Sequence, residues 1–445
     1  DAHFDRFFAG LRALHIENAR AVAEAMSQLK GAAMKVGQGL AQALEGTDLP
    51  PEVAGALGKL NDSQHIPALR PLVQDPDRKV RAEVVAAIVA IGTQHSLEPL
   101  IQATRDSEPA IQILALDGLV NFYYPGYVQT GWTSTLKRFG TGIKGRFTEI
   151  NTLVIDPYIE VSAAVTEAIG RVAVGGASME SRALAARALG ILRARAEIPR
   201  LQDTFRSKDT QVILESLRAL EKIGDRAAGP GIAFLLRDLD EGVQVAAIDA
   251  TGQLQNREAI PALVEVFENA GRSRVRQAAL VALAKMPAPP NRELFLRYLG
   301  DRDKYLRAAA AEGIGRSGQP GDLERLKKSF TAERDQSPRL SLAFALVHLG
   351  DSSYLPYLLD ALNSAVHRGE ARPFLVELAR KPDVLAQLYK PLRSGSREQK
   401  KNLSQVMAAS GTADSLPHLE ELSRDPDIEV AREALNAAKS LKARL

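Results

Sequence analysis

The 445-residue chain contains no cysteine, which excludes disulfide bonds, thiolate metal sites and a cysteine nucleophile. No apolar run approaches the roughly 18 residues that a membrane-spanning helix needs. Basic residues barely exceed acidic ones, at 57 against 54, whereas a general nucleic-acid-binding protein carries a much larger basic excess. The absence of cysteine is compatible with an exported protein, and we favour an exported or periplasmic location over the cytoplasm.

Aromatic residues are also scarce, at 5% of the chain, although 45% of the residues are hydrophobic. That apolar content is typical of a folded protein and argues against disorder. A chain of this length is too long for one compact core. An array of repeats is a way to fold it, because each unit then buries its apolar face against its neighbours.

Short blocks built around a proline recur along the chain at a nearly constant spacing. Pro199, Pro230 and Pro261 are each 31 residues apart. A second signature follows the prolines, and its aligned apolar residues Val212, Val243, Val275 and Leu306 are 31, 32 and 31 residues apart. Because two independent landmarks share one period, the sequence predicts a repeat. Less regular later copies are marked by Pro320, Pro356, Pro391 and Pro417.

Each repeat can be interpreted as two helices. Proline fits the first turn of the first helix, where its missing N–H costs nothing. An Asp-rich turn then ends this helix and caps the next one. The second helix is rich in alanine, as over Val80 to Ile91 and over Val275 to Ala284, and small residues let neighbouring helices approach closely. A glycine such as Gly92 closes the unit.

The stretches IPALRPLVQDPDRKVRAEVVAAIVAIG and AIPALVEVFENAGRSRVRQAALVALAKM resemble HEAT repeats, especially those of phycobilin-lyase-like proteins. The resemblance covers about residues 60–120 and 156–445. It implies an all-α fold, a right-handed α-solenoid of two-helix repeats. It also implies a partner protein bound along an extended, concave helical face.

The repeat pattern predicts four segments. Residues 1–60 are helical but fit the repeat poorly, and we interpret them as an N-terminal helical cap. HEAT-like repeats follow over 61–121 and again over 156–445, where the last helix caps the C-terminal end. Residues 122–155 interrupt the pattern as a Gly-containing insertion rich in aromatic and basic residues.

The insertion carries a net charge of +3, equal to that of the whole chain. Long insertions in a regular scaffold are usually functional or disordered, and aromatic content argues against disorder. One interpretation is a flap that covers a flank of the solenoid, and another is a loop that binds a partner directly. For the second, the predicted contact residues are Tyr124, Tyr127, Trp132, Lys137, Arg138, Lys144 and Arg146.

Two short motifs suggest nucleotide chemistry without the context it needs. Gly140 to Gly145 spell G-x-G-x-x-G, but neither a βαβ pattern nor kinase motifs surround them. The segment LKGAAMKVGQ, residues 29–38, is similar to the K-x-G-Q segment of atypical kinases associated with coenzyme Q synthesis. The kinase body does not follow, so Lys35 and Gln38 have no active site to serve.

Aspartate pairs recur with the repeat, whereas a catalytic dyad would occur once. We therefore interpret them as helix caps paired with arginines on the following helix. The predicted structural ladder consists of Asp77, Arg81, Arg276 and Arg307. The seven histidines are scattered without metal-ligand spacing, so we expect no metal site.

These observations predict a non-catalytic scaffold that binds a protein partner and needs no cofactor or small-molecule substrate. One alternative is binding of an anionic surface through the insertion. Under this alternative the anionic surface is a membrane that the protein contacts peripherally, whereas nucleic acid is less expected. The other alternative is a chromophore-lyase-like accessory protein, which the family resemblance raises.

Overall fold

The computed structural model describes residues 63–127 and 153–445, and the regular structure in both ranges is helical, with no strand. The prediction of an all-α fold is confirmed. Residues 1–60, predicted as a cap, and residues 128–152 of the insertion lie outside the described residues.

The α-helices are numbered here in chain order. The first eight are α1 Ile66–Leu69, α2 Arg78–Ile91, α3 Leu97–Ala103, α4 Pro109–Tyr123, α5 Ala163–Gly175, α6 Met179–Ile191, α7 Ile198–Asp203 and α8 Thr210–Ile223. The next seven are α9 Glu241–Gln253, α10 Ile260–Asn269, α11 Ser273–Lys285, α12 Arg292–Tyr298, α13 Lys304–Ser317, α14 Leu323–Ala332 and α15 Gln336–His348. The last six are α16 Leu355–Ala361, α17 Arg368–Leu378, α18 Pro382–Ser394, α19 Arg397–Ser410, α20 Leu416–Leu422 and α21 Ile428–Arg444.

The chain divides into two compact units. Unit 1 comprises Asp1–Ile155 and Val161–Ile223, and unit 2 comprises Asp156–Glu160 and Gly224–Leu445. Within each unit a short first helix, here called the A helix, alternates with a second, usually longer one, the B helix. The B helices are α2, α4, α6, α8, α9, α11, α13, α15, α17, α19 and α21.

Several A helices begin as the sequence predicts. A 3₁₀ turn, such as Arg257–Ala259, leads into the helix, and Pro261 then occupies its first turn. In one repeat the A helix is 3₁₀ throughout, over Pro230–Arg237. Proline is tolerated here because the first-turn N–H groups have no partner within the helix.

Aspartates begin several B helices. The Asp77 carboxylate accepts a hydrogen bond from the Lys79 N–H at 2.8 Å, and Asp303 accepts one from Tyr305 N–H at 2.8 Å. Asp240 and Asp427 cap α9 and α21 in the same way. An N-terminal cap of this kind contributes about 1 kcal/mol to stability.

One of the later proline landmarks is wrong as a repeat start. Pro391 lies inside α18, and the proline at the beginning of that helix is Pro382. The sequence around Pro391 resembles the other blocks because it has apolar neighbours. A proline inside a helix removes one backbone hydrogen bond, whereas at Pro382 the missing N–H has no helical partner to lose.

Successive B helices approach each other through glycine and alanine. A Cβ atom added to Gly315 of α13 would lie 2.7 Å from the Ala345 Cα of α15. The same close approach occurs, at 2.6 and 2.9 Å, between Gly190 and Ala219 in unit 1 and between Gly252 and Ala282 in unit 2. Such a short distance leaves no room for any side chain, so these glycines set the spacing of the B helices.

We expect Gly315→Ala to lower the free energy of unfolding by about 1–3 kcal/mol, because overpacking must push two helices apart. On an exposed helix the same change would stabilise by up to about 1 kcal/mol. Gly369 of α17 supplies the control, since an added Cβ meets nothing within 4 Å. Urea titration of both variants tests this, and equal stabilisation by both would contradict the close approach.

Candidate protein-interaction face

The B helices carry a set of charged side chains whose polar contacts join one B helix to the next. These side chains are here called the B face. In unit 1 the B face consists of Arg187, Glu215, Arg218 and Lys222. In unit 2 it consists of Asp249, Lys285, Glu312, Arg316, His348 and Glu377.

In unit 1 the B face centres on one carboxylate. Arg187 donates to both Glu215 oxygens, at 2.9 and 3.1 Å, and the two side chains are only 1% and 2% exposed. Arg218 Nη1 and Gln211 Nε2 donate to Oε1 of the same carboxylate, at 2.6 and 3.1 Å. Glu215 of α8 therefore holds α6 against α8 and carries the negative charge that two guanidinium groups share.

Lys222 lies one helical turn beyond Arg218. Its pKa is lowered from 10.5 to about 8, mainly by burial. The charges of Arg187 and Arg218 contribute to this lowering, while Glu215 and Glu221 oppose it. The ammonium form is thus less favourable in the folded protein than in the unfolded chain. Between pH 8 and 10.5 the unfolded chain binds more protons, so stability rises with pH across this window.

We expect Lys222→Met to stabilise the protein at pH 7 by on the order of 1 kcal/mol, after allowance for solvent screening of a partly buried group. The variant should also lose the rise in stability between pH 8 and 10.5. Urea titrations at pH 7, 9 and 10.5 test both points. Lys208, which is exposed, serves as the control through Lys208→Met. If the free energy of unfolding of the wild type rises no more between pH 8 and 10.5 than that of Lys222→Met, the assigned pKa is wrong.

In unit 2 the B face centres on Arg316 of α13. Its Nε and Nη2 donate to the two Glu377 oxygens of α17, both at 2.8 Å. Its Nη1 donates to Glu312 and to the carbonyl oxygen of Ala284, each at 3.1 Å. The guanidinium also lies 4.8 Å from the centre of the Phe344 ring. One side chain therefore joins four B helices, α11, α13, α15 and α17.

His348 lies at the edge of this cluster, with Nε2 3.8 Å from a Glu377 oxygen. Burial lowers the pKa of His348, and the positive charges of Lys381 and Arg316 lower it further, while Glu377 opposes them. The imidazole is therefore neutral at pH 7. The backbone carbonyl oxygen of His348 accepts a hydrogen bond from Lys381 Nζ.

Asp249 of α9 faces Lys285 of α11 across the neighbouring seam. Burial raises the pKa of Asp249, and the charge of Lys285 opposes this. Both side chains are partly exposed. The B face of unit 2 therefore offers mixed charges rather than one sign.

Of the predicted ladder residues, Asp77 caps α2, and the three arginines lie in the first turns of B helices. Arg81 Nε donates to Asp106 at 2.6 Å, and its Nη1 donates to the Asp75 carbonyl oxygen at 2.9 Å. Arg307 likewise donates to Glu333 at 2.7 and 3.0 Å. These carboxylates belong to the following turn, not to the aspartate pair before the helix, because an extended arginine reaches the next repeat.

Arg276 departs from this arrangement. Its Nη2 donates to the Tyr298 hydroxyl at 2.8 Å, and its guanidinium lies 5.2 Å from the centre of the Phe267 ring. Among the described residues it forms no ion pair. The residue thus packs on aromatic rings where the sequence predicts a charged partner.

Of the predicted partner-binding residues, the structure describes Tyr124 and Tyr127, both half-buried at the end of α4. Trp132, Lys137, Arg138, Lys144 and Arg146 lie outside the described residues, as do Lys35, Gln38 and the glycines of 140–145.

The described flanks of the insertion are joined to each other and to the repeats. The Tyr123 hydroxyl accepts a hydrogen bond from the Ser162 N–H at 3.1 Å. The Ile155 N–H donates to the Ile191 carbonyl oxygen at 2.9 Å. The first helix after the insertion begins at Ala163.

Sequence reasoning placed the partner on the second helices of the repeats but did not name the charged residues there, although a signal for them exists. Lys222, Lys285 and His348 are 63 residues apart, twice the repeat period, and each ends the same turn of a B helix. Gly252 and Gly315 share that spacing. Arg316 lies between Lys285 and His348, 31 and 32 residues from them, so an alignment of adjacent repeats would also have shown the charged positions.

In the described parts of the chain, no group of three or more histidine, aspartate or glutamate side chains could hold a metal ion. None of the helices there has the length and apolar character that crossing a membrane requires.

The HEAT repeat family model matches residues 37–120, 230–290 and 273–347. The first match begins within the segment predicted as an N-terminal cap. No curated protein sequence matches the chain.

Several solved structures are similar over much of the chain. Importin beta is 15% identical over 98% of this chain and 65% of its own, with a TM-score of 0.38. The Escherichia coli protein YibA is 17% identical over 66% of this chain and 96% of its own, with a TM-score of 0.39. The complex of CpcE and CpcF of phycocyanin lyase from Nostoc is 19% identical over 70% and 94%, with a TM-score of 0.31.

All three TM-scores are below 0.5, so these similarities carry no argument about function. The fold assignment rests on the alternating A and B helices, on their glycine-spaced seams and on the family match. The chain has an all-α fold of the α-solenoid class, and residues 37–120 and 230–347 of it match HEAT repeats.

Proposed function

We propose that this protein is a non-catalytic scaffold that binds a partner protein along the B face. The observation that carries the proposal is the recurrence of partly exposed polar side chains at aligned positions of successive B helices in unit 2. Lys285, Arg316 and His348 occupy such positions on α11, α13 and α15. An extended partner would meet similar groups at every repeat, which is how solenoids bind.

Helix spacing supports this choice of face. In two stacked layers of helices, the layer with the closer spacing lies on the inside of a curve. Glycine and alanine bring the B-helix backbones into direct contact at Gly252 and Ala282 and at Gly315 and Ala345. The B face of unit 2 would then line the concave side, where a partner buries the most surface.

The insertion is proposed as a second point of contact. Tyrosine, tryptophan and arginine are the residue types that most often anchor interfaces, and the insertion contains Tyr124, Tyr127, Trp132, Arg138 and Arg146. The hydrogen bond between Tyr123 and Ser162 joins its flanks. Deletion of residues 128–152 should therefore leave the repeats folded and weaken partner binding.

Site-specific photocrosslinking tests the B face. A benzophenone amino acid would be placed at Gln253 or Val281, which lie on this face and are at least partly exposed. The control positions are Arg297 of α12 and Lys328 of α14, exposed on A helices of the same unit. We expect one discrete crosslinked protein from the B-face positions in native extract, competed by unlabelled wild type.

Trp132 is the only tryptophan, so its fluorescence reports on the insertion alone. A binding role predicts that Trp132 becomes protected from a quencher only when the crosslinked partner is added. Equal crosslinking from A-helix and B-face positions would contradict the proposed face. Undiminished binding after deletion of 128–152 would remove the insertion from the interface.

A further inference from the structure

Three consecutive turns between A and B helices in unit 2 are rich in basic residues. They comprise residues 270–276, 300–307 and 332–339, and are here called the basic turn ridge. These segments contain eight arginines and lysines and four carboxylates, a net charge of +4. The whole chain has a net charge of +3, so the rest of the chain is close to neutral.

The carboxylates of the ridge are held by neighbouring groups. Asp301 accepts a hydrogen bond from the Asp303 N–H at 2.8 Å, and Asp303 accepts one from Gln277 Nε2 at 2.6 Å. Glu333 and Asp335 accept from Arg307 at 2.7 and 2.9 Å. These carboxylates are therefore already engaged by groups at the helix starts and by Arg307.

Several basic side chains of the ridge do not pair with these carboxylates. The side chains of Arg274, Arg302 and Arg334 are exposed and form neither a hydrogen bond nor an ion pair within the described residues. Lys304 lies over the Tyr305 ring, 5.3 Å from its centre, and Tyr305 is 52% exposed. Each turn thus presents at least one available cation to solvent, and the middle turn also presents the exposed ring of Tyr305.

We propose that the basic turn ridge binds an extended acidic segment of a partner protein. Neighbouring repeats stack about 8–10 Å apart, and an extended chain advances about 3.3 Å per residue. In the polyproline II form of an extended chain, every third side chain lies on the same side, about 9 Å further along. Carboxylates at every third residue of such a segment therefore match Arg274, Arg302 and Arg334 in turn. This proposal rests on the proposed function, because it specifies the chemistry of the partner that the scaffold binds.

The arrangement favours a peptide over a nucleic acid. A nucleic-acid strand places a phosphate about every 3.4 Å along a duplex. This is closer than the spacing of the turns, so most of its phosphates would have none of these three arginines opposite them. A peptide can carry neutral residues at those points. Tyrosine and arginine together are also typical of the centre of protein interfaces.

The probe is a fluorescein-labelled peptide of about 12 residues, with Glu at every third position and Pro or Ser between, so that the polyproline II form places its carboxylates on one side. Fluorescence anisotropy at low ionic strength measures its binding to the full chain. We expect the triple variant Arg274→Glu, Arg302→Glu and Arg334→Glu to bind on the order of tenfold or more weakly, because three exposed attractions become repulsions. A peptide with its Glu residues contiguous should also bind more weakly.

The matched control reverses three exposed cations of unit 2 away from the ridge, as Arg257→Glu, Arg297→Glu and Lys328→Glu. We expect it to bind the peptide within about twofold of wild type, and both triple variants to keep the wild-type melting temperature. Equal losses in the two triple variants would mean that only net charge matters, and would overturn the proposal. So would undetectable binding to wild type, or equal binding of the contiguous peptide.

A single-stranded oligonucleotide is tested in parallel. If it binds more tightly than the peptide and is lost in the ridge variant, the occupant is a nucleic acid and the proposal is wrong. Crosslinking from Gln253 and Val281 reports on the B face independently. If the acidic peptide does not bind the ridge but the B-face positions give discrete crosslinks, the proposed function still holds. If the peptide binds but the B-face positions give no discrete crosslink, only the proposed role of the B face is wrong.

Discussion

Replacing Glu215 by glutamine is expected to lower the free energy of unfolding by about 3–5 kcal/mol, because it leaves buried cations uncompensated. Glutamine keeps the shape of the side chain, so packing between α6 and α8 is largely unchanged. What is lost is the negative charge that faces Arg187, Arg218 and Lys222. Arg187 is 1% exposed and cannot recover the loss by hydration.

Urea titration followed by circular dichroism measures this effect. The control is Glu167→Gln, which removes an exposed ion pair with Arg171 in the same unit and should cost at most about 1 kcal/mol. Adding Lys222→Met to Glu215→Gln should restore part of the stability, since it removes one of the repelling cations. A loss below about 1 kcal/mol for Glu215→Gln would show that the buried pair contributes little.

Replacing Arg316 by methionine is expected to cost about 3 kcal/mol, the second largest effect. Methionine keeps an apolar stem against Phe344 but supplies no donor. Glu377 and Glu312 then lose their shared cation, and the Ala284 carbonyl oxygen loses a hydrogen bond. Because the side chain joins four B helices, the loss should appear in the unfolding of unit 2 as a whole.

A double-mutant cycle with Glu377→Gln separates the pair from its surroundings. We expect a coupling energy of about 1–3 kcal/mol between Arg316 and Glu377, since the residues share three hydrogen bonds in one network. The control cycle uses Arg171 and Glu167, an exposed pair with an expected coupling of about 0.5 kcal/mol. Additive effects in the first cycle would mean that Arg316 acts through packing alone.

The helical architecture was predictable because its causes are local and repeated. Pro261 marks a first turn, Asp303 caps a helix, and alanine-rich runs such as 275–284 allow close packing, so each copy of the signal confirms the others. A single copy would have been ambiguous, as the error at Pro391 shows. There the composition of the block matched, but only the backbone reveals that the helix begins nine residues earlier.

The ladder shows how far local reasoning extends. The sequence predicts that Arg81 and Arg307 pair with the aspartates before their helices, because each arginine is only a few residues from them. Their carboxylate partners, Asp106 and Glu333, are 25 and 26 residues away in the following repeat. Which acid an arginine reaches depends on how the repeats stack, and Arg276, with Tyr298 and Phe267 beside it, finds none among the described residues.

By itself, the sequence determined that this chain is an array of helical pairs, since helix starts, caps and apolar spacing depend on residues a few positions apart. Only the tertiary structure decided where the charges meet. Glu215 serves Arg187 from 28 residues away, and Arg316 reaches Glu377 across 61 residues. Contacts of that range follow from the separation of packed backbones, which Gly315 and Ala345 set by touching and which no local pattern encodes.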